Sequence, residues 1–170
     1  MQTCRPFFLI LVLCIATKVV SEERPVAAPY RPFAFLVGHT WEGTFPDGKT
    51  IDRHTYEWVY GGKFIRDTHV VTSSGGKYEG ETIFAWNSNN KQVVFWYIAN
   101  NGTYSQGTVD VDGETFTVDE QHQGRETQIL KTKWKKVSDS EYRVETYREK
   151  DKQQQLLFAV TYKKQTTPSR

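Results

Sequence analysis

Cysteine is nearly absent from the sequence. The chain has 170 residues and only two cysteines, Cys4 and Cys14, both close to the N-terminus. From residue 15 onward there is no thiol, which excludes disulfide bonds, zinc thiolates and cysteine nucleophiles from that part of the chain. A chain of this size can bury about 70% of its unfolded surface, so a single hydrophobic core can stabilise it without such cross-links.

Long apolar runs are also scarce, and the only prominent one extends from Pro6 to Val20. It follows a short basic start and is followed at once by charged residues, which is typical of a secretory signal peptide rather than a membrane span. We predict a signal peptide over residues 1–21, cleaved after Ser21, and a secreted or periplasmic protein. No transmembrane span then remains. A lipoprotein anchored at Cys14 and an uncleaved anchor are the alternatives.

The charge shows no excess of one sign. The predicted signal peptide holds two of the 22 basic residues and none of the 20 acidic ones, so the rest of the chain has 20 of each. Nucleic-acid binding depends on clustered Lys and Arg side chains that neutralise phosphates. We therefore expect no nucleic-acid partner.

Amphipathic helices are missing as well. Beyond Thr40 almost no segment has the 3.6-residue period of a helix, whereas short runs rich in β-branched and aromatic residues recur at intervals of about a dozen residues. Turn signals such as Asn101-Gly102 and Asp112-Gly113 separate these runs and supply the positive backbone angles that hairpins need. The predicted strands lie near residues 40–46, 49–60, 63–72, 77–87, 92–99, 103–111, 115–122, 126–137, 141–149 and 154–164.

Every connection between these strands is short, so each strand should pair antiparallel with the next. A meander of this length either splits into two sheets or closes into a barrel, and closure removes the exposed edges. We predict an all-β protein, a ten-stranded antiparallel up-and-down barrel over residues 33–165. An extended linker over residues 22–32 precedes it, a short helical turn over residues 32–37 plugs one end, and residues 166–170 form a disordered tail.

Alternation along the strands predicts which side chains face the interior. The predicted inward sets are Asp52, His54, Tyr56, Trp58 and Tyr60 on the second strand, Phe116, Val118, Glu120 and His122 on the seventh, and Leu156, Phe158, Val160 and Tyr162 on the tenth.

A glycine–tryptophan motif opens the first strand, within Val37-Gly38-His39-Thr40-Trp41-Glu42-Gly43. The glycine lets the chain turn sharply, and the tryptophan can lie across the closed end of a barrel. Gly38-x-x-Trp41 resembles the Gly-x-Trp signature of the calycins, which include the lipocalins and fatty-acid-binding proteins, with a spacing that differs by one residue. In lipocalins a C-terminal basic residue covers this tryptophan, and Arg66 or Arg148 could do so here.

Further motifs extend the resemblance from about Phe33 to Tyr162. Trp58-x-x-Gly61-Gly62-Lys63-Phe64, Tyr78-Glu79-Gly80 and Ala85-Trp86-Asn87 are similar to segments of a bacterial family of unknown function, often secreted, with calycin-like barrels. The resemblance implies a small barrel with a cavity and no established reaction. The related haem-binding nitrobindins carry a Tyr-Pro-Thr-Ile stretch after the first tryptophan and a ligand histidine near the chain end. This chain has neither, so we expect no haem.

Motifs for catalysis are missing too. The sequence has no Gly-x-Ser-x-Gly elbow, no His-Glu-x-x-His and no dinucleotide fingerprint. The histidines are His39, His54, His69 and His122, and no pair has the close spacing of a zinc motif, so a metal would need them to converge from separate strands. We predict no catalytic residue, no metal site and no cofactor.

Aromatic residues recur on the strands, where they either fill the core or line a pocket for a flat or acyl ligand. A ten-stranded barrel is wider than an eight-stranded one, and side chains alone would not fill it. Arg66 would bind an anionic ligand group, pair with a carboxylate or lie exposed, and His122 would orient a polar group. The predicted ligand-binding residues are Tyr56, Trp58, Arg66, Trp86, Phe95, Tyr97 and His122.

These observations favour an extracytoplasmic binding or carrier protein that holds a small hydrophobic or amphipathic molecule in its barrel. The first alternative is an enzyme, an isomerase or hydrolase, in which His122 beside Glu120 or Asp52 transfers a proton. The second is a packed barrel that acts through its surface. The identity of the ligand and the oligomeric state stay open at this stage.

Overall fold

The computed structural model describes residues 26–124, 126–150 and 153–166. The predicted signal peptide, the first part of the predicted linker and residues 167–170 of the predicted tail lie outside this range. The elements, in chain order, are a 3-10 helix, Ala28–Phe33, and the strands β1 Thr40–Thr44, β2 Ile51–Val59, β3 Phe64–Ser73, β4 Gly76–Asn87, β5 Gln92–Ala99, β6 Tyr104–Asp112, β7 Thr115–Gln123, β8 Thr127–Ser138, β9 Glu141–Lys150 and β10 Gln153–Lys164.

The strands form one closed antiparallel barrel. Each strand pairs with the next in the chain, and β1 pairs with β10, with Trp41 opposite Lys164 and Gly43 opposite Tyr162. The predicted all-β, ten-stranded antiparallel barrel is confirmed. Within the described residues, no helix combines the length and the apolar character that crossing a membrane requires.

Trp41 packs against the segment that precedes β1, and its side chain is completely buried. Its indole Nε1 donates a hydrogen bond to the Leu36 carbonyl at 3.0 Å, and its ring packs edge-on against Tyr142 at a centroid distance of 5.1 Å. Gly38 makes the predicted sharp turn with a φ of 80°, a value that favours glycine. The cation over the indole is Lys164, whose Nζ lies 5.7 Å from the ring centroid.

The expectation that Arg66 or Arg148 covers Trp41 is therefore wrong. Arg66 pairs with Glu57, and Arg148 donates to Gln155 at 3.0 Å. Lys164 takes the position because the pairing of β1 with β10 places it directly opposite Trp41.

The N-terminal segment differs from its prediction in position. The 3-10 helix occupies Ala28–Phe33, earlier than the turn predicted over residues 32–37, and this part of the predicted linker is helical rather than extended. Its Tyr30 and Phe33 side chains are buried. The Phe33 ring contacts Phe116 at a centroid distance of 5.0 Å, so apolar packing holds the segment against the barrel.

The side chains predicted to face the interior do so, with the exception of two residues. Tyr60 is 76% exposed because it lies in the turn after β2, with a positive φ of 51°. Leu156 is 51% exposed because the register of β9 and β10 shifts between Leu156 and Phe158. The shift places Leu157, not Leu156, in the wall of the barrel cavity.

Replacing Trp41 tests the packing at this end of the barrel. We expect Trp41→Ala to lower the free energy of unfolding by about 3–5 kcal/mol, because a buried indole and its hydrogen bond are lost together. The measurement is urea unfolding followed by far-UV circular dichroism. Trp96→Ala is the matched control, since Trp96 is 51% exposed on the outer surface. Equal destabilisation by the two substitutions would show that Trp41 does not hold this end together.

Candidate functional site

The barrel encloses a cavity of about 370 Å³. This volume lies at the small end of the range of about 300–1,000 Å³ that is typical of small-molecule sites. Its apolar wall consists of Phe45, Val71, Phe84, Phe95, Val118, Leu130, Trp134, Val144, Leu157 and Phe158. Its polar wall consists of Asp52, His54, Asp67, His69, Tyr78, Thr82, Tyr97, Glu120, His122, Thr132, Thr146 and Tyr162.

Three of the predicted ligand-binding residues, Phe95, Tyr97 and His122, line this cavity. Tyr56 is buried next to it, and its ring stacks on His54 at an interplanar angle of 13°. Tyr56 therefore supports the cavity wall instead of facing a ligand.

The remaining predicted residues lie elsewhere. Trp58 packs edge-on against Tyr30, and Trp86 is 37% exposed. Arg66 projects from the outer face of β3, where it pairs with Glu57 and lies 4.0 Å from Glu81. Of the outcomes considered for Arg66, the structure shows pairing with a carboxylate at the surface, and no anionic ligand group inside the barrel can reach it.

A buried imidazole bridges two carboxylates in the polar wall. His54 Nδ1 lies 2.8 Å from Asp67 Oδ2, and His54 Nε2 lies 3.0 Å from Asp52 Oδ2. Since both carboxylates only accept, His54 donates from both nitrogens, as an imidazolium does. Tyr162 donates a further hydrogen bond to Asp52 Oδ2 at 2.8 Å.

The charge on this bridge follows from its neighbours. Burial opposes a charge on His54, but the Asp67 and Asp52 carboxylates raise the pKa of its imidazole to about 10. Burial also favours the protonated form of Asp52, yet the adjacent His54 holds the pKa of that carboxyl well below its usual range. The two carboxylates and the imidazolium carry a net charge of −1 inside the barrel.

His69 extends the cluster on the side of Asp52. Its Nε2 lies 2.9 Å from the Tyr97 hydroxyl, which in turn donates to the Tyr78 hydroxyl. Burial raises the pKa of Tyr97, which keeps its hydroxyl protonated. His69 Nε2 shares a hydrogen bond with the Tyr97 hydroxyl, and His69 Nδ1 on the other side of the ring faces Asp52.

Two buried polar atoms without a hydrogen-bond partner face each other at this point. His69 Nδ1 lies 3.4 Å from Asp52 Oδ1, and neither atom has a hydrogen-bond partner among the described residues. The Asp52 side chain is only 6% exposed. Buried polar atoms without a partner are costly, so this pair is a candidate position for a bound ligand atom or a cation.

A second polar group lies further along the cavity wall, around His122. Its Nδ1 lies 2.9 Å from Ser105 Oγ and 3.7 Å from Glu120 Oε1. A nucleophilic relay needs the serine and the carboxylate on opposite ring nitrogens, whereas here both approach the same one. Ser105 is also 1% exposed. This arrangement orients His122 but does not form a hydrolase triad.

Gly80 makes room for the His69 side of the cluster. A Cβ atom at this position would collide with the Tyr97 ring and hydroxyl and would lie 2.7 Å from His69 Nε2. The glycine thus permits the contact between the Tyr97 hydroxyl and the imidazole.

The sequence analysis placed Asp52 and His54 on an inward face without naming them as ligand-binding residues, and it missed Asp67, His69 and Gly80. The signal for Asp67 and His69 was present in the hairpin centred on Gly61 and Gly62. Pairing outward from that centre places Asp67 opposite Tyr56 and His69 opposite His54, as the register shows. The face predicted to point inward on β2 therefore also determines the inward face of β3.

The comparisons with known proteins assign no family. No protein-family model matches the sequence, and no curated protein shows significant similarity to it. The closed ten-stranded barrel is compatible with the calycin-like fold that the sequence motifs implied. A barrel supports many functions, so function must be inferred from the geometry of the site itself.

Replacing His54 tests the charged bridge. In the presence of a chelator, we expect His54→Leu to lower the free energy of unfolding by about 3–5 kcal/mol, because two buried carboxylates lose their shared cation. Adding Asp52→Asn and Asp67→Asn to His54→Leu should restore most of this loss. Arg66→Leu, which breaks an ion pair at the surface, is the control and should leave the denaturation midpoint nearly unchanged. A His54→Leu chain as stable as Arg66→Leu in chemical denaturation would refute the bridge.

Replacing Gly80 tests the contact between Tyr97 and His69. We expect Gly80→Ala to destabilise the protein by about 1–3 kcal/mol in thermal unfolding, since the added methyl group has no room. The control is Gly75→Ala, where the nearest atom to the new Cβ, Ser73 Oγ, lies at an ordinary 3.6 Å. If Gly75→Ala were the more destabilising of the two, the close packing at Gly80 would be disproved.

Proposed function

We propose that this protein is an extracytoplasmic binding or carrier protein for a small amphipathic molecule held in the barrel cavity. The observation that carries the proposal is a cavity lined by both apolar and polar side chains, in which Asp52 Oδ1 and His69 Nδ1 have no hydrogen-bond partner among the described residues. A ligand with an apolar body and a hydrogen-bond donor at one end satisfies both walls. The extracytoplasmic location in this proposal follows from the predicted signal peptide.

The charge of the polar wall supports a particular ligand class. Within the described part of the chain, no lysine or arginine lines the cavity, whereas Asp52, Asp67 and Glu120 do. A carboxylate or phosphate head group would meet these acidic side chains and be repelled. An amine or a hydroxyl group would donate to them. The ligand that fits best therefore has a cationic or neutral donor head and a short apolar body.

The geometry favours binding over a hydrolase and over a filled barrel. The His122 group lacks the relay of a hydrolase, since Ser105 and Glu120 approach the same ring nitrogen. The cavity also separates this barrel from one with a filled interior that acts only through its surface. Binding requires only the cavity and its polar lining, and the described residues form both.

Ligand binding is tested with the fluorescent amine 1-aminoanthracene in the presence of a chelator, followed by competition with octylamine, octanol and octanoate. We expect saturable binding of the amine probe, displaced more effectively by octylamine and octanol than by octanoate. Thr82→Trp should abolish it, because Thr82 lines the cavity and an indole there fills the space. The control is Thr72→Trp on the exposed face of β3.

Two results would contradict this proposal. One is a wild-type protein that binds neither the probe nor any molecule retained from its own host, as judged by native mass spectrometry. The other is equal probe binding by the wild type and the Thr82→Trp variant, since this would place the probe outside the barrel.

A further inference from the structure

We propose that Asp52, His54 and His69 form a binding site for one divalent transition-metal ion of the zinc class on the polar wall of the cavity. Their potential ligand atoms all lie within 4.8 Å of one another. The site goes beyond the proposed carrier function, because an ion can bind there whether or not an organic molecule occupies the cavity.

The ligand set has the chemistry of a transition-metal site. Two imidazoles and one carboxylate bind zinc in many enzymes, whereas magnesium and calcium prefer oxygen ligands only. His54 comes from the same strand as Asp52 and projects from the same face, and His69 lies directly opposite His54 on β3. The three residues therefore sit on one rigid hairpin, which fixes their relative positions.

The separations between the Asp52 carboxylate and each of the two imidazoles are close to those around a small ion. Zinc bonds to nitrogen and oxygen are about 2.0–2.2 Å long, so neighbouring ligands in a tetrahedral site lie about 3.3–3.6 Å apart. The two imidazoles flank the Asp52 carboxylate, with His54 Nε2 at 3.0 Å from Oδ2 and His69 Nδ1 at 3.4 Å from Oδ1. An ion against this carboxylate would replace the proton that His54 shares with Asp52.

A second, independent observation comes from the unpartnered atoms. Asp52 Oδ1 and His69 Nδ1 are buried atoms that face each other, and neither has a hydrogen-bond partner among the described residues. Asp52 is 6% exposed at its side chain, so bulk water does not solvate it freely. A cation between the two atoms would bind the carboxylate oxygen and the deprotonated ring nitrogen at once.

The neighbours of the three ligands also match a metal site. Metal-binding histidines usually donate their other ring nitrogen to a carboxylate, carbonyl or hydroxyl oxygen, which fixes the ring orientation. His54 Nδ1 contacts Asp67 at 2.8 Å, and His69 Nε2 contacts the Tyr97 hydroxyl at 2.9 Å. Tyr162 donates to Asp52 at 2.8 Å. Every proposed ligand is thus held by a partner outside the ligand set.

Three protein ligands leave a fourth tetrahedral position for the ion. Because Asp52, His54 and His69 all line the cavity, that position can face its interior. Water or an oxygen or nitrogen donor would occupy it.

The experiment is a calorimetric titration of the tag-free, chelator-treated full chain with Zn²⁺, and with Co²⁺ followed by visible absorption. We expect one ion per chain and the intense d–d absorption of tetrahedral Co²⁺. His69→Gln should weaken Zn²⁺ binding at least 100-fold, since even the loss of an outer partner typically costs about 10–100-fold. Tyr97→Phe should weaken it about 10-fold. Mg²⁺ should give no saturable heat.

The matched control is His122→Gln, which removes a histidine that lines the same cavity but lies outside the proposed ligand set. It should bind Zn²⁺ like the wild type. The proposal is overturned if the wild type shows no saturable Zn²⁺ binding, if His69→Gln binds as tightly as the wild type while retaining its fold, or if His122→Gln loses binding equally. Probe binding in chelator is a separate readout, so failure of the metal site and failure of the carrier function can be told apart.

Discussion

The seam between β1 and β10 is the contact on which the rest of the molecule depends, because it converts a meander of hairpins into a closed barrel. Gly43 permits it. A Cβ atom at Gly43 would lie 2.5 Å from a Val160 methyl carbon and 2.9 Å from the Tyr162 ring. The seam also brings Tyr162 within hydrogen-bonding distance of Asp52. Closure therefore removes the free edges and completes the polar wall at the same time.

Burying the charged side chains of the polar wall lowers the stability of the fold, which suggests that they are present for another reason. Burying carboxylates and an imidazolium requires that each be paired, and the bridge from Asp67 through His54 to Asp52 achieves most of this pairing. Apolar side chains of similar size would stabilise the barrel as well or better. A cluster that leaves Asp52 Oδ1 and His69 Nδ1 without partners among the described residues is better explained by binding than by stability.

The strands and their order could be predicted because each hairpin is local: turn residues mark its centre, and alternation marks its faces. Arg66 was named as a ligand-binding residue, although it lies outside the barrel, because alternation along one strand does not say which face points inward. The pairing of Trp58 with Ile65 across the hairpin decides it. Lys164 over Trp41 could not be predicted in this way, since β1 and β10 are joined by no turn.

The polar cluster was partly predictable. Asp52, His54 and His122 follow from the predicted faces, and His69 follows from the hairpin centre. The contact of His69 with Tyr97, by contrast, depends on the space that Gly80 leaves, and the facing of His69 Nδ1 and Asp52 Oδ1 depends on side-chain torsions. These contacts depend on packing among several strands. Such packing cannot be predicted from the periodicity of the sequence.

The most direct test of this account is a high-resolution crystal structure of the protein isolated from its own host, with anomalous diffraction data collected at the zinc edge. The account predicts an open cavity with density between Asp52 Oδ1 and His69 Nδ1, from an ion or from the polar end of a bound molecule. A cavity closed by side chains, or a His69 ring rotated so that it donates directly to Asp52 with nothing bound, would contradict it.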